Sequence, residues 1–142
     1  MANINLIGMD SSSGQFRIAT INDFVSSPGS IIGMSGIPNI VLGSASGLGS
    51  TAGIIGSNLA GKITFTTGAS LLSSGIVMTM TFANGLTYPN GCFVNFTSGN
   101  SNFASVFNSL YATTTTNTVV LNVTIGLSII TTYIGYYQII GY

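Results

Sequence analysis

The chain has 142 residues, of which two are basic, two are acidic and none is histidine. Nucleic-acid binding needs several Lys or Arg residues near phosphates, metal sites need clusters of His, Cys or carboxylates, and acid–base catalysis needs titratable side chains. This composition therefore predicts a protein that is not an enzyme, binds no nucleic acid and carries no metal or other cofactor. Hydrophobic residues make up 46% of the chain, which argues against intrinsic disorder.

Residues 1–25 form a first segment that holds three of the four charged side chains. Apolar stretches around Leu6 and Phe16 predict two short extended pieces, joined by a Ser/Gly turn at 11–14. A segment of this kind is suited to docking on another protein as an added strand.

Residues 26–61 are rich in glycine and serine, with isolated apolar residues or pairs between them. Their spacing matches neither a helix nor a long strand, and the glycines do not recur at every third position as in collagen. We interpret this segment as an extended stalk that becomes ordered when several copies wrap around one another. A partly disordered Gly/Ser linker is the alternative.

Residues 62–142 predict a compact all-β domain, an antiparallel β-sandwich of jelly-roll type. Within it, the run 76–82 predicts a strand whose Ile76, Met78, Met80 and Phe82 face the core. Because a domain of about 80 residues buries only a marginal core and this one has an uncharged surface, we expect homo-oligomers. Further strands are expected at 62–66, 92–97, 110–114, 118–125 and 129–142, with one or two helical turns at 102–110.

Two features of this domain have structural interpretations. Cys92 is the one cysteine and lies in an apolar run, so we expect a small buried side chain rather than a reactive thiol. The uncharged run 125–142 is long enough for a short membrane span, but its β-branched and aromatic composition favours a strand. A membrane is therefore not an expected partner.

Four tyrosines cluster at the C-terminus: Tyr133, Tyr136, Tyr137 and Tyr142. Aromatic rings beside Asn and Thr can stack on sugars or form a protein-recognition patch. Alternatively, every second member packs in the core or between subunits. The cluster is a candidate receptor site or subunit interface.

The N-terminal run Leu6-Ile7-Gly8-Met9-Asp10-Ser11-Ser12-Ser13-Gly14-Gln15, followed by Asp23, resembles the opening of bacteriophage head-fibre and minor virion proteins. The stretches 60–68, 78–83 and 117–123, together with the tyrosine-rich terminal strand, look like the β-sandwich that ends many phage fibres and spikes. The similarity lies in pattern and composition.

This resemblance implies a non-enzymatic virion structural protein on the capsid surface: a head fibre, a spike or a capsid decoration. The C-terminal domain would be an oligomeric knob, a trimer in the first instance, with a pentamer as the alternative. The N-terminal arm would attach to a capsid or vertex protein through Leu6, Ile7, Asp10, Gln15, Phe16, Arg17 and Asp23.

Two other hypotheses stay open. The first is a receptor- or carbohydrate-binding module that uses the tyrosine-rich face, with a host-surface receptor or glycan as its partner. The second is a membrane-associated protein of a lipid-containing virion, with residues 125–142 inserted in the bilayer.

Overall fold

The computed structural model of the chain describes residues 6–9, 16–19, 36–70 and 72–142, the first two ranges by their backbone alone. The chain divides into two compact units, Met1–Met34 and Ser35–Tyr142. The described elements are strands apart from a few short helical turns, so the predicted all-β class is confirmed.

In the first unit, strand β1 (Leu6–Met9) pairs with strand β2 (Phe16–Ala19) in an antiparallel two-stranded sheet. The two apolar stretches of the sequence therefore form extended pieces, as predicted. The Ser/Gly turn predicted between them lies outside the described residues.

The second unit contains two antiparallel sheets of four strands each. The strands of the first sheet are β4 (Thr51–Gly56), β5 (Ala60–Thr66), β7 (Cys92–Ser98) and β10 (Thr132–Gly141). Those of the second sheet are β3 (Asn39–Leu42), β6 (Gly75–Thr81), β8 (Leu110–Thr114) and β9 (Thr118–Val123). The spatial orders are β4-β5-β10-β7 and β3-β6-β9-β8. Eight strands in two sheets is the strand count of a jelly roll.

The core is formed by the alternate side chains that one face of each sheet buries. Phe65 and Tyr133 lie on neighbouring strands of the first sheet, and their rings stack with centroids 5.0 Å apart. The other buried side chains of the strands include Ile63, Tyr137, Ile139, Met78, Met80, Val119, Leu121 and Val123.

The last strand is central. Its sequence is apolar or aromatic on both faces, which predicts a strand that is either central or packed on a neighbour. β10 pairs with β5 on one side and with β7 on the other. Most of the run 125–142 is therefore a strand, and none of the described helices is long and apolar enough to cross a membrane.

The structure corrects the predicted stalk for residues 36–61. β3 pairs with β6, and β4 pairs with β5, so both strands belong to the sheets. They are short edge strands without a fully buried residue, and their sequences do not alternate polar with apolar residues as a recognisable half-buried strand does. The second unit begins at Ser35 rather than at residue 62, while residues 26–35 of the predicted stalk lie outside the described residues.

A bulge changes which side chains β6 buries. Met78 and Met80 face the core as predicted, but Ile76 is exposed and Val77 is fully buried. The register shifts between Ile76 and Met78, so the alternation reverses before that point. A second difference from the prediction occurs at the end of β9. The predicted strand extends to residue 125, whereas β9 ends at Val123 and Ile125 is exposed.

The predicted helical turns are confirmed as α1 (Ser101–Val106), which is followed by a 3-10 turn at Phe107–Ser109. The Asn100 side chain caps the helix, because its Oδ1 accepts a hydrogen bond of 3.0 Å from the Phe103 amide. Its Nδ2 donates to the carbonyl of Thr132 at the start of β10 (3.0 Å). The cap therefore ties the helix to the first sheet.

Side-chain hydrogen bonds link segments of the two sheets at two places. Asn58, fully buried in the turn between β4 and β5, accepts from the Ala83 amide (2.9 Å) and donates to its carbonyl (3.3 Å). Between the edge strands β8 and β7, Thr114 Oγ1 donates to the carbonyl of Cys92 (2.6 Å). Cys92 itself is buried, as predicted, and burial raises the pKa of its thiol.

Candidate interaction surfaces

The second unit has an almost uncharged surface. Lys62 is its one charged side chain. Many large apolar side chains are nevertheless exposed, and the described residues contain no group of His, Cys, Asp and Glu that could hold a metal ion. The chemistry of this surface is therefore that of apolar contact and neutral hydrogen bonding.

The tyrosine cluster is divided by the alternation of β10. Tyr136 is 49% exposed and Tyr142 is also exposed, whereas Tyr133 is only 1% exposed and Tyr137 is buried. Tyr133 Oη accepts from the Ser128 amide (3.1 Å), and Tyr137 Oη donates to the Ser57 carbonyl (2.5 Å). The prediction of a surface site is therefore corrected for Tyr133 and Tyr137, because both serve the core.

The buried phenol of Tyr137 predicts a loss of stability in alkali. Burial raises the pKa of Tyr137 to about 12, whereas an unfolded chain titrates its tyrosines near pH 10, about the reference value. The folded state therefore holds this proton more tightly. Its contribution to stability is complete below about pH 10 and is lost as the pH rises towards about 12.

Urea denaturation at a series of pH values from about 8 to 11 measures this loss. Tyr137→Phe is expected to weaken the alkaline decrease in the unfolding free energy, because position 137 then has no phenol to ionise on unfolding. Tyr142→Phe is the matched control, since Tyr142 is exposed. An alkaline slope that Tyr137→Phe leaves at the parental value would contradict the assignment.

The first candidate surface is an apolar tip formed by Leu48, Ile129 and Ile130. Leu48 is 88% exposed and Ile130 is 70% exposed. Gly68 joins the two loops: its carbonyl accepts from the Ile130 amide (3.1 Å), and a side chain at Gly68 would collide with the carbonyl oxygen of Leu48. The tip therefore presents apolar side chains from loops distant in sequence.

The second loop of the tip is held rigidly from inside the fold. The buried Thr67 hydroxyl donates to the carbonyl of Ser128 (2.6 Å) and accepts from the amide of Thr131 (3.0 Å). Ile130 has a φ of +48°, in the left-handed region that β-branched residues rarely adopt. The structure thus keeps an apolar, β-branched residue at an exposed turn position suited to Gly or Asn.

The second candidate surface is the outer strip, which we define as Phe93, Asn95, Tyr136, Gln138 and Tyr142 on the solvent face of the first sheet. Asn95 and Gln138 are direct partners across β7 and β10. The rings of Phe93 and Tyr142 stack with centroids 5.4 Å apart. The strip therefore places a pair of amides between Tyr136 and a pair of aromatic rings.

A groove of about 250 Å³ opens between the edge strands β7 and β8. The sequence does not predict it, because β7 and β8 belong to different sheets and only the tertiary arrangement brings their edges together. It is lined by Val94, Asn95, Phe96, Phe107, Leu110, Tyr111, Ala112 and Leu121.

The predicted capsid-attachment residues lie partly in the described sheet of the first unit. Leu6 and Ile7 belong to β1, while Phe16 and Arg17 belong to β2. The antiparallel pairing brings the two groups together on adjacent strands. The remaining predicted residues, Asp10, Gln15 and Asp23, lie outside the described residues.

Comparison of the chain with protein-family models, with curated proteins and with solved structures finds no match. The resemblance to phage fibre proteins therefore stays a prediction from the residues.

Proposed function

We propose that the chain is a non-enzymatic structural protein of a virion, a head fibre, spike or capsid decoration, that acts as a homo-oligomer. The observation that supports this proposal is the apolar tip on a domain that has one charged side chain. A freely diffusing protein normally carries many charges, which keep its copies apart. A fixed assembly removes that requirement, because neighbouring subunits cover the apolar side chains.

The tip contributes apolar surface that contact between subunits would bury. Complete burial of a Leu or Ile side chain contributes about 1.5–3 kcal/mol, and each subunit of a symmetric oligomer contributes the same three side chains. Contact at an axis of symmetry would bring all copies of the tip together. A trimer is the arrangement we propose, with the two sheets of each subunit packed as a β-sandwich knob.

The N-terminal arm is proposed to attach this knob to a capsid or vertex protein. A two-stranded sheet is marginally stable alone, so β1 and β2 would gain stability from a partner that adds a strand or covers their apolar side chains. Leu6 and Ile7 of β1, with Phe16 and Arg17 of β2, are the described members of the proposed attachment set.

Light scattering after size exclusion tests the oligomer. We expect the full chain to have the mass of a trimer and the double variant Leu48→Ser, Ile129→Ser to have the mass of a monomer. The matched control is Ile55→Ser, which changes an exposed isoleucine on β4. A monomeric parent, or a trimer that the double variant leaves intact, would overturn the proposal. A pentameric parent would replace the trimer by a five-fold assembly.

A further inference from the structure

We propose that the outer strip and the adjacent Lys62 bind an acidic oligosaccharide, one whose sugar rings carry carboxylate groups. This site lies on the solvent face of the first sheet, and its chemistry does not depend on the apolar tip. The proposed sugar site can therefore be tested independently of the proposed oligomeric function.

The strip supplies exposed aromatic rings at two places. Tyr136 lies beside Gly99, where a Cβ atom would come within 3.1 Å of the Tyr136 ring, so the absence of a side chain leaves room for it. Phe93 and Tyr142, both exposed, form the second place. The apolar C–H face of a pyranose ring packs on an aromatic face, as other apolar groups do.

The amides of Asn95 and Gln138 lie between these aromatic places. Both side chains are exposed, and no hydrogen bond within the described residues engages either amide. In contrast, the amides of Asn58 and Asn100 are bonded to backbone groups. Each free amide offers two donors and an acceptor, the complement that sugar hydroxyls require.

Lys62 adds a charge to one end of the site. It is the cross-strand partner of Tyr136, is half-buried, and makes no ion pair within the described residues. As the one cation of the second unit, it matches a carboxylate on a sugar that stacks on Tyr136. One cation is too few for a nucleic acid, whose binding depends on several phosphate contacts.

The spacing of the strip fits a ligand of several sugar rings. Successive outward-facing residues of β10 are about 7 Å apart along the strand, since each residue advances the chain by about 3.4 Å. The rows of Tyr136, of Gln138 and of Ile140 therefore span about 14 Å. An oligosaccharide that lies along β10 would contact all three rows, whereas a monosaccharide would contact one.

Isothermal titration of the full chain with hexagalacturonate and with neutral maltohexaose tests the site. We expect hexagalacturonate to bind at least about tenfold more tightly, because a hydrogen bond to a charged group contributes more than a neutral one. Lys62→Gln is expected to abolish this preference, and Tyr136→Ala to weaken binding of both sugars. Tyr111→Ala is the matched control, an exposed tyrosine on the second sheet.

Several results would overturn the proposal. They are the absence of saturable binding to hexagalacturonate, equal binding of the two sugars, or a preference that survives Lys62→Gln. Equal or tighter binding of a single-stranded oligothymidylate would assign the strip to nucleic acid instead. Thermal unfolding of each variant verifies its fold, and light scattering on the same samples separates a lost sugar site from a lost oligomer.

Discussion

Replacement of Phe65 by alanine is expected to destabilise the second unit by about 4 kcal/mol, because it removes a fully buried aromatic side chain and leaves a cavity. The Phe65 ring stacks on Tyr133 from the central strand, so the same change also removes an aromatic pair at the centre of the first sheet. Since small domains are stable by about 5–15 kcal/mol, this variant is expected to unfold at far lower urea concentrations.

Urea denaturation followed by tyrosine fluorescence measures the effect. Phe93→Ala provides the matched control, because Phe93 lies in the same sheet but is exposed. Its cost is expected to be about 1 kcal/mol, because the exposed ring loses its stack on Tyr142 but leaves no core cavity. If the two variants lost similar stability, the face of the sheet assigned to the core would be wrong.

The second large effect is expected at the apolar tip, where Ile130→Asn should weaken self-association and yet stabilise the fold. Asparagine tolerates the left-handed backbone of this position, whereas a left-handed conformation costs isoleucine about 1–2 kcal/mol. The Ile130 side chain is thus proposed to favour assembly, although its backbone conformation lowers the stability of the isolated subunit. Evolution of a free monomer would have no physical reason to keep it.

The two consequences are measured separately. Light scattering follows the loss of mass, and urea denaturation in a Leu48→Ser background compares variants once assembly has been weakened. Ile129→Asn is the matched control, because it removes an equal apolar side chain from a position without a positive φ. It should reduce association without the gain in stability. An Ile130→Asn variant less stable than Ile129→Asn would contradict the strain at this turn.

Some residues of the outer strip can be predicted from the sequence, and others cannot. Tyr136 and Tyr142 are candidates from the sequence, and the structure leaves both exposed. Their neighbours Asn95 and Lys62 have no local signal, because they join Tyr136 and Gln138 only through the strand register. Tyr133 and Tyr137 lie in the same tyrosine-rich segment as Tyr136 and Tyr142. The two-residue period of the strand nevertheless directs Tyr133 and Tyr137 into the core.

The sequence does not predict the apolar tip either. Leu48 and Ile130 are separated by 82 positions; Leu48 lies between two glycines, and Ile130 lies between Ile129 and Thr131. They form one surface because Gly68 lies between their loops. An exposed cluster of this kind depends on what the fold leaves uncovered, which no local pattern records.

The sequence by itself determined the all-β class, the strands from β5 onward and the helical turns after β7. These features are encoded by local alternation, capping and turn residues, which act between neighbours along the chain. Tertiary structure alone decided that β3 and β4 belong to the sheets and that separate loops form the apolar tip. It also decided that a bulge reverses the inward–outward alternation of side chains at the start of β6. The physical reason is that edge strands and surfaces built from several loops depend on residues that are distant in the sequence. Their own residues therefore need not follow a recognisable local pattern.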